Sequence, residues 1–414
     1  MIVHLFYFFV LSLGAFKCSN VDYLHQIFES RTKILRNYAL NSLVPTCSEL
    51  RYISVSDGPW GGSGNNLIEF AHLLWLTKIL NATLIVPSWI MDILVPFNTS
   101  LLQTHFCMVV TNNSVSYSAK NVKAIAAEEA FFVMKVWGRE KEWKIKLPPL
   151  NKETILDISL HFLRVYAALW SSPSKELVDA GKWIISQHLD FSCRYTSVHK
   201  RQMEGKCNNI MYQNARISDF SPQEVPLDRE DWRNHRNHPL CEMPLDFIRQ
   251  VQELNHKSKS KIFISFDGRG NTDSYRNEGV VFGDCLKKSS FSNETIEDMY
   301  VDMFVAIHSE FFILNPRSTF SWGIFLVRVV LGLPSVPVVR TNDFYYRFMP
   351  HEALLPRGQL WVSWTSVLEA FKRKAVDRKS TLTKTARMAD SHSRPFGKQS
   401  IASNHLTNVQ KSAI

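Results

Sequence analysis

The sequence predicts an α/β protein built on parallel sheets, and three stretches predict it. One is a strand, glycine loop, helix and strand at 51–89, another a strand from 195 that ends in basic residues, the third a strand, turn and helix at 311–332. A parallel pair needs a right-handed crossover, and ligands in such sheets sit outside the carboxyl ends of the strands. All three stretches carry their unusual residues at that end.

In the first stretch, Tyr52 to Ser56 has the β-branched and aromatic residues of a short strand. Gly58, Gly61, Gly62 and Gly64 then allow a sharp turn or a close approach to a ligand. From Leu67 to Leu80 apolar residues surround almost the whole of a predicted helix, so protein should cover it on all sides. Ala82 to Pro87 is the paired strand. The loop has neither the Gly-Lys-Ser/Thr ending of a P-loop nor the G-x-G-x-x-G spacing. It reads either as a tight turn or as a substrate loop in which the Asn65 and Asn66 carboxamides fix a hydroxyl.

At 414 residues the chain exceeds the usual single core, which predicts two domains. The apolar run Leu5 to Phe16 is too short to span a bilayer and reads as a signal segment over 1–19, with no stable membrane insertion after cleavage. Its removal would leave six of seven cysteines, an even set suited to disulfides. Sequons at Asn81, Asn98, Asn112 and Asn293 point the same way, to the lumen of the endoplasmic reticulum or Golgi, or to secretion. The net charge of +10 lies mostly beyond residue 371, where ten Lys or Arg face two Asp. The body is therefore near neutral, the segment 372–414 reads as a disordered basic tail, and no nucleic-acid partner is expected.

Residues 92–190 read as helical, with apolar spacing in Leu150 to Ser171 and a further helix at Ser174 to Gln187. Tyr195 to Val198 alternates like a strand, and His199, Lys200 and Arg201 crowd its end. Three basic groups there suit an anion, with Arg201 on a diphosphate through its planar fork, although a solvated basic turn is the plain alternative. Cys193 and Cys207 bracket the stretch and are expected to pin it as a disulfide. His235, His238 and Cys241 stand at helical spacing, but a charged surface loop is the better reading, and no metal is expected. No Asp-x-Asp pair is present to hold one on a sugar nucleotide. Lys261 to Phe266 is a strand ending at Asp267, either a turn former or an acceptor for a nucleotide base. Phe311 to Leu314 is a buried strand, and Phe320 to Leu331 a helix ended by Gly332. Ser318 and Thr319 thus stand at a helix amino terminus, as a cap or as part of an anion site.

The run from Gly61 through Gly64-Asn65-Asn66 to Leu80-Asn81-Ala82-Thr83-Leu84-Ile85-Val86-Pro87-Ser88-Trp89 resembles the amino-terminal motif of the GDP-fucose protein O-fucosyltransferases, closest to the type acting on EGF-like repeats. His199-Lys200-Arg201 is similar to the family's His-x-Arg at a strand end, and Asp302, Asn315, Ser318, Thr319 and Phe320 fall in the register of its phosphate motif. The resemblance implies a GT-B-like enzyme with two facing Rossmann-like domains, at 20–190 on the acceptor side and 191–371 on the GDP-sugar side. It implies GDP-fucose as donor substrate, no metal or other cofactor, and inverting transfer to a Ser or Thr hydroxyl of a secreted or membrane protein, including disulfide-rich repeats. Gly62, Gly64, His199, Arg201, Asp267, Asp302, Ser318, Thr319 and Phe320 would hold the donor, with Asn65 orienting the acceptor and Arg201 stabilising the departing GDP. A glycan acceptor, or a non-catalytic binding protein on the same scaffold, is the alternative. No carboxylate stands in the position of a general base.

Overall fold

The computed structural model describes residues 21–40, 47, 51–59, 61–110, 122–131, 133–189, 194–201, 207, 226, 238–257, 260–266, 275, 278–283, 298–315 and 318–336. Two sheets organise them, and every strand pairing in both is parallel. The first holds β1 (Tyr52–Val55), β2 (Thr83–Val86), β3 (Met108–Val110) and β4 (Val122–Ile125) in the order β3-β2-β1-β4. The second holds β5 (Tyr195–Lys200), β6 (Lys261–Phe266), β7 (Val281–Phe282), β8 (Phe311–Ile313) and β9 (Ser335–Val336) in the order β7-β6-β5-β8-β9. In each, the chain winds outward from its first strand, then returns to that strand's other side. This reversal is the topological switch point, where the loops leaving the sheet diverge and open a crevice. One crevice lies beyond β1 and β4, the other beyond β5 and β8.

The α/β class and its Rossmann-like sheets agree with expectation, with one correction. The stretch 92–190 is not all helical, because β3 and β4 lie within it. These edge strands are three and four residues long, too short to show an alternation, and β4 reads Val-Lys-Ala-Ile with only Ile125 buried. The expected boundary at 190/191, the opening 1–19 and the tail 372–414 lie outside the described residues.

The helices are α1 (Val21–Leu40), α2 (Ser63–Leu80), α3 (Ser88–Leu94), α4 (Thr99–His105), α5 (Ala127–Phe131), α6 (Glu140–Trp143), α7 (Lys152–Trp170), α8 (Lys175–His188), α9 (Pro239–Glu242), α10 (Leu245–Leu254), α11 (Asp298–His308) and α12 (Thr319–Leu331). As its apolar circumference requires, α2 is buried from Asn66 to Thr77. It begins at Ser63, earlier than the apolar run, because an extended Gly62 accepts from the Asn65 N–H at 2.8 Å. Side-chain caps start the next long helices: Asn151 accepts from the Thr154 N–H before α7, and Ser174 from the Leu177 N–H before α8. α7 packs against α1, α2 and α12, so it touches helices of both sheets. Tyr300 of α11 adds a tie, its hydroxyl donating to the Ile93 carbonyl of α3 at 2.8 Å.

The second sheet buries Val198, Ile264 and Phe311 against Leu240, Phe247 and Val251 of α9 and α10. Through its opposite face it meets α11 and α12. Arg328 of α12 is fully buried there and donates to the carbonyls of Ala306, Ile307 and Ser309 at 2.7–3.1 Å. It satisfies the carbonyls that the end of α11 leaves without helical partners. Among the described residues two disulfides are present, Cys47–Cys107 and Cys207–Cys241. Cys207 therefore pairs with Cys241 and not with Cys193, because the end of β5 lies beside α9. Among the described residues no helix is long and apolar enough to cross a membrane.

Candidate functional site

The second crevice is lined by the alternation of β5. His199 points to the α12 side, where its ring lies 4.4 Å from that of Phe320 and its Nδ1 is 2.7 Å from Ser321 Oγ. Burial, reinforced by the nearby Arg201 charge, pushes the His199 pKa well below the usual imidazole value, so the ring is neutral at pH 7. Lys200 points the other way, and its ammonium is taken up by the Glu242 carboxylate at 3.1 Å and the Glu242 carbonyl. The basic trio of the sequence thus splits, and Lys200 is a structural tie to α9. Arg201 is held through its backbone, with Asn315 Nδ2 donating to its carbonyl at 3.2 Å and to Cys207 Sγ at 3.5 Å. Arg201 Nε is buried and has no hydrogen-bond partner among the described residues.

Ser318 is the residue before α12, yet its side chain does not cap the helix. Its hydroxyl is buried and unpaired, and it stands beside the free N–H groups of the first turn. A buried donor left over at a helix amino terminus, where the dipole is positive, fits an anion better than it fits packing.

From the first sheet, Gly62, Gly64, Asn65 and Asn66 form the cap and first turn of α2 instead of a free loop. Asn65 folds back over Gly61, whose φ of 96° and absent side chain make room for the carboxamide. Asn66 is buried beside it with an unpaired Oδ1. A Cβ added at Gly64 would stand 3.0 Å from Thr319 Oγ1 and 3.3 Å from the Phe320 nitrogen. The amino termini of α2 and α12 therefore meet, one from each crevice, and the two sheets face each other through their ligand-binding ends. Gly62 is exposed, with open space where a side chain would stand.

The structure brings Gly64, Thr319, Phe320 and His199 together and ties Arg201 to the turn through Asn315. Asp302 is buried on α11 with its carboxylate against Gly283 at the end of β7, where only a glycine fits. Asp267 lies outside the described residues. So does His235, while His238 caps α9 by accepting from the Leu240 N–H and Cys241 is in a disulfide. Among the described residues no cluster of three His, Cys, Asp or Glu is placed to hold a metal. Sequence reasoning missed Ser265 and Ser321. Ser265 pairs in register with His199 and carries a buried, unpaired hydroxyl. A serine inside the apolar strand Lys-Ile-Phe-Ile-Ser-Phe was the available signal.

Among solved structures, the chain is similar to POFUT1 in complex with GDP, at 14% identity over 70% of this chain and 98% of that one, with a TM-score of 0.39. It is similar to POFUT1 in complex with GDP-fucose at 14% identity, over 70% and 98% of the two chains, with a TM-score of 0.42. No family model and no curated protein matches the sequence. A likeness of that size decides nothing about activity.

Proposed function

We propose that this protein is a glycosyltransferase that takes fucose from GDP-fucose and places it on a Ser or Thr hydroxyl of a secretory-pathway protein, with inversion and without a metal. The observation that carries the proposal is the meeting of the α2 and α12 amino termini at two facing crevices, beside the unpaired Ser318 hydroxyl and Arg201 Nε. The Ser318 hydroxyl, Arg201 Nε and the first-turn N–H groups of α12 favour a multiply charged anion, and a diphosphate is of that kind. The sequence resemblance supplies the choice of guanosine and fucose.

In this reading the acceptor hydroxyl oxygen attacks the anomeric carbon and releases its proton to water, as the bond to the diphosphate breaks and GDP leaves with the electron pair. Negative charge grows on the diphosphate, where Arg201, the Ser318 hydroxyl and the Thr319 and Phe320 N–H groups are already oriented to receive it. Such preorganised donors stabilise a transition state without reorganising during the reaction. Asn65, at the first crevice, would orient the acceptor, and Asp302 would belong to the donor side from α11. The lumenal setting is consistent with the two disulfides.

The test is calorimetric titration of the protein with GDP-fucose, GDP-mannose and UDP-GlcNAc in chelator, beside Arg201→Ala. Binding of GDP-fucose that is lost in Arg201→Ala supports the donor site, and transfer to EGF-like or thrombospondin-like acceptors then supports the reaction. Binding to none of the three sugar nucleotides overturns it.

A further inference from the structure

His199 and Ser321 allow the proton on the imidazole to be located by counting donors. Ser321 Oγ accepts the Asn315 N–H at 3.1 Å and lies 2.7 Å from His199 Nδ1, and no other hydrogen bond engages it among the described residues. A hydroxyl has one hydrogen and two lone pairs. Were Nδ1 protonated, it would fill the second lone pair, and the Ser321 hydrogen would be buried with no acceptor. Leaving a buried donor without an acceptor is costly, which selects the other arrangement. There the Ser321 hydroxyl donates to Nδ1, and the ring hydrogen sits on Nε2. Nε2 has no hydrogen bond to the described residues, so that N–H is left for a ligand.

We infer that Ser321 is a positioning residue: it holds His199 as the Nε2–H tautomer, so that a neutral ring donates one hydrogen bond to the anion bound at the β5/β8 crevice. This rests on the diphosphate reading above for the identity of the anion, but not for the tautomer. The backbone completes the device. Asn315 orients the Ser321 hydroxyl with its own N–H and holds the Arg201 carbonyl with its side chain, so one residue sets both groups at the end of β5. Phe320 lies beside the imidazole, with the two ring centroids 4.4 Å apart and the planes tilted by 42°.

The experiment is nitrogen NMR of the full chain carrying histidine labelled at both ring nitrogens, with the His199 signals assigned by their loss in His199→Gln. The same samples are titrated with GDP. The expected result is a protonated Nε2 and an unprotonated Nδ1 for His199 in the free protein, with Nε2 shifting when GDP binds. Ser321→Ala should populate both tautomers and weaken GDP about fivefold, the loss of one oriented hydrogen bond. Ser321→Thr, which keeps the hydroxyl, should restore both readings and shows that a change in Ser321→Ala is not a folding defect. A protonated Nδ1 in the free protein overturns the inference, as does Ser321→Ala with unchanged tautomer and affinity. A protonated Nε2 in a protein that binds no GDP upholds the role of Ser321 and overturns the nucleotide reading alone.

Discussion

Gly64 and Thr319 face each other at the two helix amino termini, so closely that a Cβ on Gly64 would lie 3.0 Å from Thr319 Oγ1 and 3.3 Å from the Phe320 nitrogen. This contact brings the two helix amino termini to one place. Gly64→Val is therefore expected to separate them and weaken GDP-fucose binding at least about tenfold, roughly 1.4 kcal/mol. Gly138→Ala, at a site with nothing within 4 Å, is the control and should bind as the parent does. Calorimetry on both proteins checks the pair.

Asn315 ties the turn before α12 to the end of β5, and Cys207 is tied to the same side chain. Asn315→Ala should free the Arg201 backbone and weaken GDP about tenfold, with a smaller change in thermal stability. Replacing both Cys207 and Cys241 by alanine should act on the same loop in the same direction. Equal affinity for GDP in the parent and both variants would show that Arg201 needs neither support.

Arg328 holds the end of α11 from the interior. Arg328→Met keeps the length of the side chain but strips the carbonyls of Ala306, Ile307 and Ser309 of their donor. A loss of about 3–5 kcal/mol is expected, as when one partner of a buried charged network is removed. Urea denaturation followed by circular dichroism measures it.

Acid should unfold the protein early. His161 is buried, and burial, then the charges of Arg164 and Lys78, push its pKa down to about 3. His199 and His308 are shifted the same way by burial. In the unfolded chain these rings bind protons near pH 6.5, while the folded chain keeps them neutral, so stability falls as pH drops below 6.5. For His161 alone the slope is about 1.4 kcal/mol per pH unit down to about pH 3. His161→Phe should flatten the fall in melting temperature between pH 7 and 5.

The local elements were legible wherever several residues in a row carried one signal. The all-round apolar pattern of Leu67 to Leu80 could only be a covered helix, and Gly332 marked the end of α12 with a φ of 69°. Strands β3 and β4 were hidden because they are short edge strands whose pairing with β2 and β1 comes from chain winding. The partner of Cys207 was equally hidden, since sequence distance says little about which sulfur lies beside the end of β5.

For the site, the sequence by itself determined which chemistry is present: glycines and asparagines before one helix, a histidine and an arginine after one strand, hydroxyls before another helix. Tertiary structure decided which of these groups are available. Lys200 and His199 are neighbours in sequence, yet the pleat sends one to Glu242 and the other to Ser321, because successive strand side chains leave opposite faces. Ser318 looks like a cap and is not one, and its freedom depends on a turn that the rest of the fold shapes. Residue types follow from the code one at a time, whereas a free donor is a property of everything packed around it.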